Sequence, residues 1–275
     1  MSFDPKWLAL REPFDHNARR PSRVLMPKLE GARVVDLACG AGSNIRFLAP
    51  QLRGVQSWTL VDHDPRLLDT ARVLLGMPDS VHDGTPGEWG SHSVTTLQAD
   101  LRQGFPKVDC DLVVTTALLD LVDAGFVDDL VDWLDGRSIL ASLTVDGLIQ
   151  WTPEDPRDAA IHGAFREHQF LDRGFGPSLG VGAAAYLIER LEQAGYTVQT
   201  QATPWDIPAH KTRMLQEMAQ GIAHAAKETG AEVEAWLSDK LAAIDAGQVS
   251  LVVGHVDVFG GRRGIMKSQT DRESR

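Results

Sequence analysis

"VVDLACGAGSN", residues 34–44, is an apolar run that reaches an acid, Asp36, and then breaks into a small-residue turn holding Gly40 and Gly42. A buried strand that ends in bare backbone can turn tightly and let a ligand lie against it with no Cβ in the way. Outward from this stretch, further Val-, Leu- and Thr-rich runs at 57–64, 93–100, 111–119 and 138–145 read as strands. Segments 44–52, 65–75 and 124–135 place apolar residues at spacings of three and four and read as helices. That alternation predicts an α/β fold with a doubly wound, mainly parallel sheet covered on both faces. A helix over 182–196 and strands over 197–205 and 250–259 complete it. Residues 77–92 read as a connection at the opposite edge, which makes His82, Trp89 and His92 poor catalytic candidates.

Composition narrows the function. The chain has 275 residues, 43% hydrophobic and 24% charged, the make-up of a globular protein with a sizeable core. No leader pattern opens it, and every apolar stretch is interrupted before the roughly 18 residues a membrane span needs. Cys39 and Cys110 lie in or beside apolar runs and read as reduced, buried thiols, which fits a cytoplasmic protein. A formal net charge of −11 disfavours a nucleic-acid partner, whose binding draws on Lys and Arg, and favours a small molecule. His255 and Asp257 alternate along a strand and read as structural hydrogen-bonding groups.

The glycine turn is followed, about 20 residues on, by an acid placed to accept hydrogen bonds from ribose hydroxyls, Asp62 at the end of "TLVD". A dinucleotide fingerprint would need a third glycine where Ile45 stands, so the pattern points to another nucleotide-type cofactor. Asp36-Leu-Ala-Cys-Gly40-Ala-Gly42 resembles motif I of the class I S-adenosylmethionine-dependent methyltransferases. Asp62 matches that family's ribose-binding acid, and His63-Asp64-Pro65 resembles the usual entry to its second helix. "LQADL" (97–101) resembles the third motif, which implies that Asp100 binds the adenine amino group with Leu101 beside it. "DLVVTTALLDLV" (111–122), with Thr116, resembles the fourth, at the methionine end of the cofactor. Ala38 stands where many members have glycine, and Asp120 where many have histidine. The resemblance implies a Rossmann-like seven-stranded sheet with an antiparallel last strand. It also implies S-adenosyl-L-methionine as cofactor, bound through Asp36, Ala38, Gly40, Gly42, Asp62, His63, Asp100, Leu101 and Thr116. Methyl transfer from a sulfonium needs alignment and exclusion of water, and no metal.

The acceptor is expected at the rim of the same face. With an antiparallel last strand, residues 206–249 form a helical cap, and residues 1–30 a further lid on a single methyltransferase domain spanning 1–261. The tail 262–275 reads as disordered. "TVDGLIQW" (144–151) suggests a tight Asp-Gly turn. Beyond it, His168 and Asp172 lie four apart and share a face if the helix persists. They are the catalytic candidates, His168 as general base or acceptor-orienting group and Asp172 fixing its tautomer or binding a polar substrate group. His16, Asp120 or no base at all stand behind them. The reading is methyl transfer to a small-molecule metabolite. Its alternatives are a non-catalytic cofactor-binding regulatory module and an RNA methyltransferase.

Overall fold

The computed structural model describes residues 3–25, 27–77 and 83–261. In chain order the elements are α1 (Pro5–Ala18), β1 (Arg33–Leu37), α2 (Ser43–Leu48), β2 (Ser57–Asp62), α3 (Pro65–Leu74), β3 (Asp83–Trp89), β4 (His92–Gln98), β5 (Leu112–Thr116) and α4 (Ala124–Leu134). They continue with β6 (Ser138–Thr152), α5 (Asp158–Gln169), α6 (Ala183–Gln193), β7 (Thr197–Ala202), β8 (Trp205–Ile207), α7 (Thr212–Glu228), α8 (Glu234–Asp245) and β9 (Ser250–Gly261). The sheet order is β3-β4-β2-β1-β5-β6-β9-β7, with β8 paired to β9. Strands β4, β2, β1, β5 and β6 are parallel neighbours, and β9 runs antiparallel between β6 and β7. The seven strands from β4 to β7 are those expected; β3 and β8 are additions.

The alternation of β1 shows why it is central. Val35 and Leu37 join a core with α4 and α6, while Val34 joins one with α2 and α3. A strand buried on both faces reads as a near-continuous apolar run, and from Val34 this one does, interrupted by Asp36, which is itself fully buried. Chain order reverses between β1 and β5, so their carboxyl ends open the crevice where ligands bind in such sheets.

Two expectations are corrected. The 77–92 connection holds β3, which pairs antiparallel with β4 around a turn at Gly90, whose φ of 60° suits glycine. Trp89 and His92 meet there, at the far end of β4 from the crevice, and His82 lies outside the described residues. The Asp146-Gly147 pair is no hairpin turn but an irregularity inside β6. Register against β9 shifts between Val145 and Ile149, Gly147 adopts a φ of 90°, and Asp146 Oδ1 accepts from the Leu148 amide at 2.9 Å. The Asp146 carboxylate lies against Gly254, where a Cβ would collide with it, so the opposite strand makes room for the kink.

Beyond that irregularity β6, β8 and β9 remain paired and share a third core with α5, α7 and α8. Trp151, Trp205, Trp236, Ile207 and Leu251 are all buried there. The 206–249 segment is thus packed into the body of the protein, not merely laid over it. At its centre Lys240 Nζ lies 3.0 Å from Asp158, whose Oδ1 also accepts from Trp236 Nε1 at 2.7 Å. The expected tail 262–275 lies outside the described residues.

Candidate functional site

Three residues of the turn after β1 adopt left-handed backbone: Ala38 (φ 54°), Gly40 (φ 53°) and Gly42 (φ 74°). For alanine that conformation costs about 1–2 kcal/mol, which the surrounding bonds must hold in place. Cys39 N–H donates to Val61 at 2.9 Å, and Gly42 N–H to Cys39 at 2.9 Å. Gly40 N–H donates to Asp62 Oδ2 at 2.9 Å. The other oxygen of Asp62 accepts from Asp64 N–H at 3.0 Å and lies 3.2 Å from His63 Nδ1. A carboxylate has about four lone-pair sites, so Asp62 can brace the turn and still accept from a ligand.

The cavity at this turn is lined by Ala38, Gly40, Asp62, His63, Asp100, Leu101 and Thr116, which brings together seven of the expected cofactor residues. Asp36 and Gly42 do not line it. Asp36 is fully buried beneath the turn, and Gly42 is the N-cap of α2. Asp36 Oδ1 accepts from Asn44 Nδ2 at 2.8 Å, while burial pushes its carboxyl up to about 7. Asn44 Oδ1 accepts from Thr116 Oγ1 and from the buried Arg19, both at 2.8 Å. Asp100 is paired with Arg102, whose side-chain hydrogen bonds hold its carboxyl down to about 2.

A second cavity of about 320 Å³ adjoins the first and shares Phe3, Arg11, Ala117, Leu121 and Arg173 with it. Its size is at the lower end for small-ligand sites, and its walls are mainly apolar, among them Trp7, Leu143, Ile149, Phe165, Trp205 and Val253. Helix α1 closes it from one side. Arg11 Nε donates to Asp15 at 3.0 Å and its guanidinium lies 4.9 Å from the Trp205 ring, while Trp205 Nε1 donates to Asp15 at 3.0 Å.

His168 lines this cavity, but its ring nitrogens are engaged: Nδ1 lies 2.7 Å from Arg173 Nη2, and Nε2 lies 2.8 Å from Glu228. Arg173 Nη2 also lies 2.9 Å from Nε2, so one guanidinium nitrogen sits against both ring nitrogens. Both nitrogens thus have protein groups at hydrogen-bonding distance. Asp172 lies beyond the helix. Helix α5 ends at Gln169, so Asp172 does not share its face; its Oδ1 accepts from Gly174 and Gly176 N–H at 2.6 and 3.0 Å and shapes the glycine loop instead. His16 lines neither cavity and sits 2.9 Å from Ser43 Oγ.

Two cavity groups each have a side-chain atom without a hydrogen-bond partner among the described residues. Asp120 Oδ1 is buried without a hydrogen bond, and burial raises its carboxyl to about 6. His255 Nδ1 is likewise unpartnered, and burial lowers its imidazole to about 3, which keeps the ring neutral. Arg11 and Arg173, far apart in the chain, carry no local signal that would have paired them. His255 had the signal of a polar residue in an apolar strand, and its structural reading covered only half of it.

No family model matches the chain. The trans-aconitate 2-methyltransferase of Mycobacterium tuberculosis is 29% identical over 199 residues, 70% of this chain and 68% of the relative. That of Streptomyces avermitilis is 29% identical over 157 residues, 56% of this chain and 52% of the relative. Among solved structures, a candidate methyltransferase from Bacillus halodurans has a TM-score of 0.51 at 15% identity and covers 88% of this chain and 98% of its own. A Bacillus subtilis protein has a TM-score of 0.50 at 15% identity, covering 90% and 99%. Both structural likenesses concern the fold.

Proposed function

We propose that this chain, which is a class I S-adenosylmethionine-dependent methyltransferase acting on a small molecule, esterifies the carboxylate of an organic acid held where its two cavities meet. The residues fit the donor. A Cβ on Gly40 would project toward Leu8 in the first cavity, so the glycine leaves that space to a ligand. In this reading Asp62 accepts from ribose hydroxyls, with His63 beside it. Asp100 and Leu101 hold the adenine, and Ala38, Gly40 and Thr116 line the methionine end. Asp36 and Gly42 act from behind, by shaping the turn.

When bound, the donor supplies an electrophilic methyl on a sulfonium, and its transfer to a carboxylate oxygen leaves a methyl ester and a neutral thioether with no proton to remove. A carboxylate acceptor therefore asks no base of the cavity, where His168 is engaged by Arg173 and Glu228 and burial lowers the imidazole of His255 to about 3. The observation that carries the reading is the position of Arg11 and Arg173, which line both cavities and can orient an anion at their junction. His168 acts as an acceptor-orienting residue through Arg173, and Asp172 by holding the glycine loop beside it. The trans-aconitate methyltransferases it resembles take, by their names, a carboxylic acid.

Helix α1 and the 206–249 cap exclude water from the junction within a single domain. Among the described residues no helix is long and apolar enough to cross a membrane. The two buried free cysteines suit the cytoplasm, and the net charge of −11 disfavours nucleic acid. The test is steady-state kinetics with a panel of carboxylic acids. Arg173→Ala should raise the acid's KM about 10- to 100-fold, the loss of a charge-assisted hydrogen bond, with donor affinity retained. Unchanged KM for every acid used would remove Arg173 from the acceptor site.

A further inference from the structure

The acceptor cavity is poorly matched to an acid with several carboxylates. Its cationic side chains are Arg11 and Arg173, and Arg11 is already paired with Asp15. His168 is hydrogen-bonded to Glu228, and His255 is held neutral by burial. The remaining charged group on the wall is an acid, Asp120. One carboxylate can be neutralised at the junction. A second or third would face either apolar side chains or the Asp120 carboxylate, and an unpaired buried charge is strongly disfavoured.

Asp120 also shows what the cavity asks for. Its buried Oδ1 has no hydrogen-bond partner among the described residues, a buried acceptor normally has one, and the residue lines the cavity, from which a ligand can supply the donor. The group sits just after β5 on the short turn Leu119–Leu121, fixed by the buried Leu119. Nearby in the same wall, His255 presents an unpartnered Nδ1, with its ring packed 5.0 Å from that of Trp205.

We propose that Asp120, with His255, is the specificity-determining group of the acceptor site, and that it selects a monocarboxylic acid with an apolar body and a hydroxyl or equivalent hydrogen-bond donor, in preference to a polycarboxylate. This rests on the carboxylate reading above. The hydroxyl donates to Asp120 Oδ1, and the single carboxylate lies at Arg173. The apolar body takes the surface of Leu143, Ile149, Phe165 and Val253. A site built to receive a hydroxyl penalises an acid that lacks it, because the buried oxygen is then left unpaired.

The test uses the full chain with S-adenosylmethionine and three acids: a medium-chain 3-hydroxy acid, the same acid without the hydroxyl, and trans-aconitate. Wild type should favour the hydroxy acid in kcat/KM by at least about tenfold over each of the others, the usual worth of a hydrogen bond to a charged group. In Asp120→Ala the ratio of hydroxy to deoxy acid should fall to near one, mainly through KM. Asp120→Asn, which keeps an acceptor oxygen and removes the charge, should retain part of that ratio while improving trans-aconitate. Product binding by calorimetry establishes that each variant is folded. Equal or better use of trans-aconitate by wild type, or an unchanged hydroxyl ratio in Asp120→Ala, would overturn the selection while leaving carboxylate methylation standing. Methyl ester from none of the acids would overturn both.

Discussion

Gly40 and Asp62 are joined directly, the amide of the first donating to Oδ2 of the second at 2.9 Å. One carboxylate thus shapes the glycine turn and faces the cavity beneath it. Asp62→Ala removes both functions, so donor affinity by calorimetry should fall by about 1.5–3 kcal/mol, the range for hydrogen bonds to a charged group. Unchanged affinity would take Asp62 out of the donor site.

Ala38 holds a φ of 54° where glycine would be unstrained. Ala38→Gly should therefore raise stability, by up to about 1 kcal/mol after the added freedom of the unfolded chain is subtracted. Denaturant midpoints measure it. Gly40→Val does the opposite, adding a branched side chain at a φ of 53° and against Leu8, and should abolish measurable donor binding.

Asp36 gives the pH dependence a sign. Unfolded, its carboxyl ionises near the ordinary 3.8; folded, burial holds the proton to about 7. The folded state thus binds the extra proton, and this group's contribution is complete below about pH 4 and lost as pH rises through 7. Asp36→Asn, which keeps an acceptor for Asn44, should flatten the stability profile between those limits. A variant with the wild-type slope would show that another group sets it.

Lys240 and Asp158 form a buried pair beneath Trp151 and Trp236, with the ammonium 4.8 Å from the Trp151 ring. Removing one charge leaves the other uncompensated, so Lys240→Ala should cost about 3–5 kcal/mol. The double variant Lys240→Met, Asp158→Leu should recover much of that loss. Thermal unfolding of the two proteins compares them, and equal destabilisation would mean that packing, not charge, governs the site.

What could be read from the sequence was what local pattern determines. Val34, Val35 and Leu37 are apolar because β1 is buried on both faces, and Asp62 follows at the end of β2 because the next parallel strand brings it back to the turn. The Asp146-Gly147 pair misled because a hairpin and an irregular strand use the same residues; the difference lies in Gly254 across the sheet. Pairing His168 with Asp172 required a helix that stops at Gln169, while the actual partners, Glu228 and Arg173, come from α7 and the loop. Arg11 reaches the junction on α1, pinned by the Trp205–Asp15 hydrogen bond across most of the chain's length, a contact no spacing encodes.

The most direct measurement is the chemistry of the methylated product. Acid acceptors incubated with the full chain and methyl-labelled S-adenosylmethionine should acquire label that mild alkali releases as methanol, because a methyl ester hydrolyses under those conditions. Label that survives alkali would place the methyl on nitrogen, carbon, sulfur or an ether oxygen, and would contradict a carboxylate held between Arg11 and Arg173.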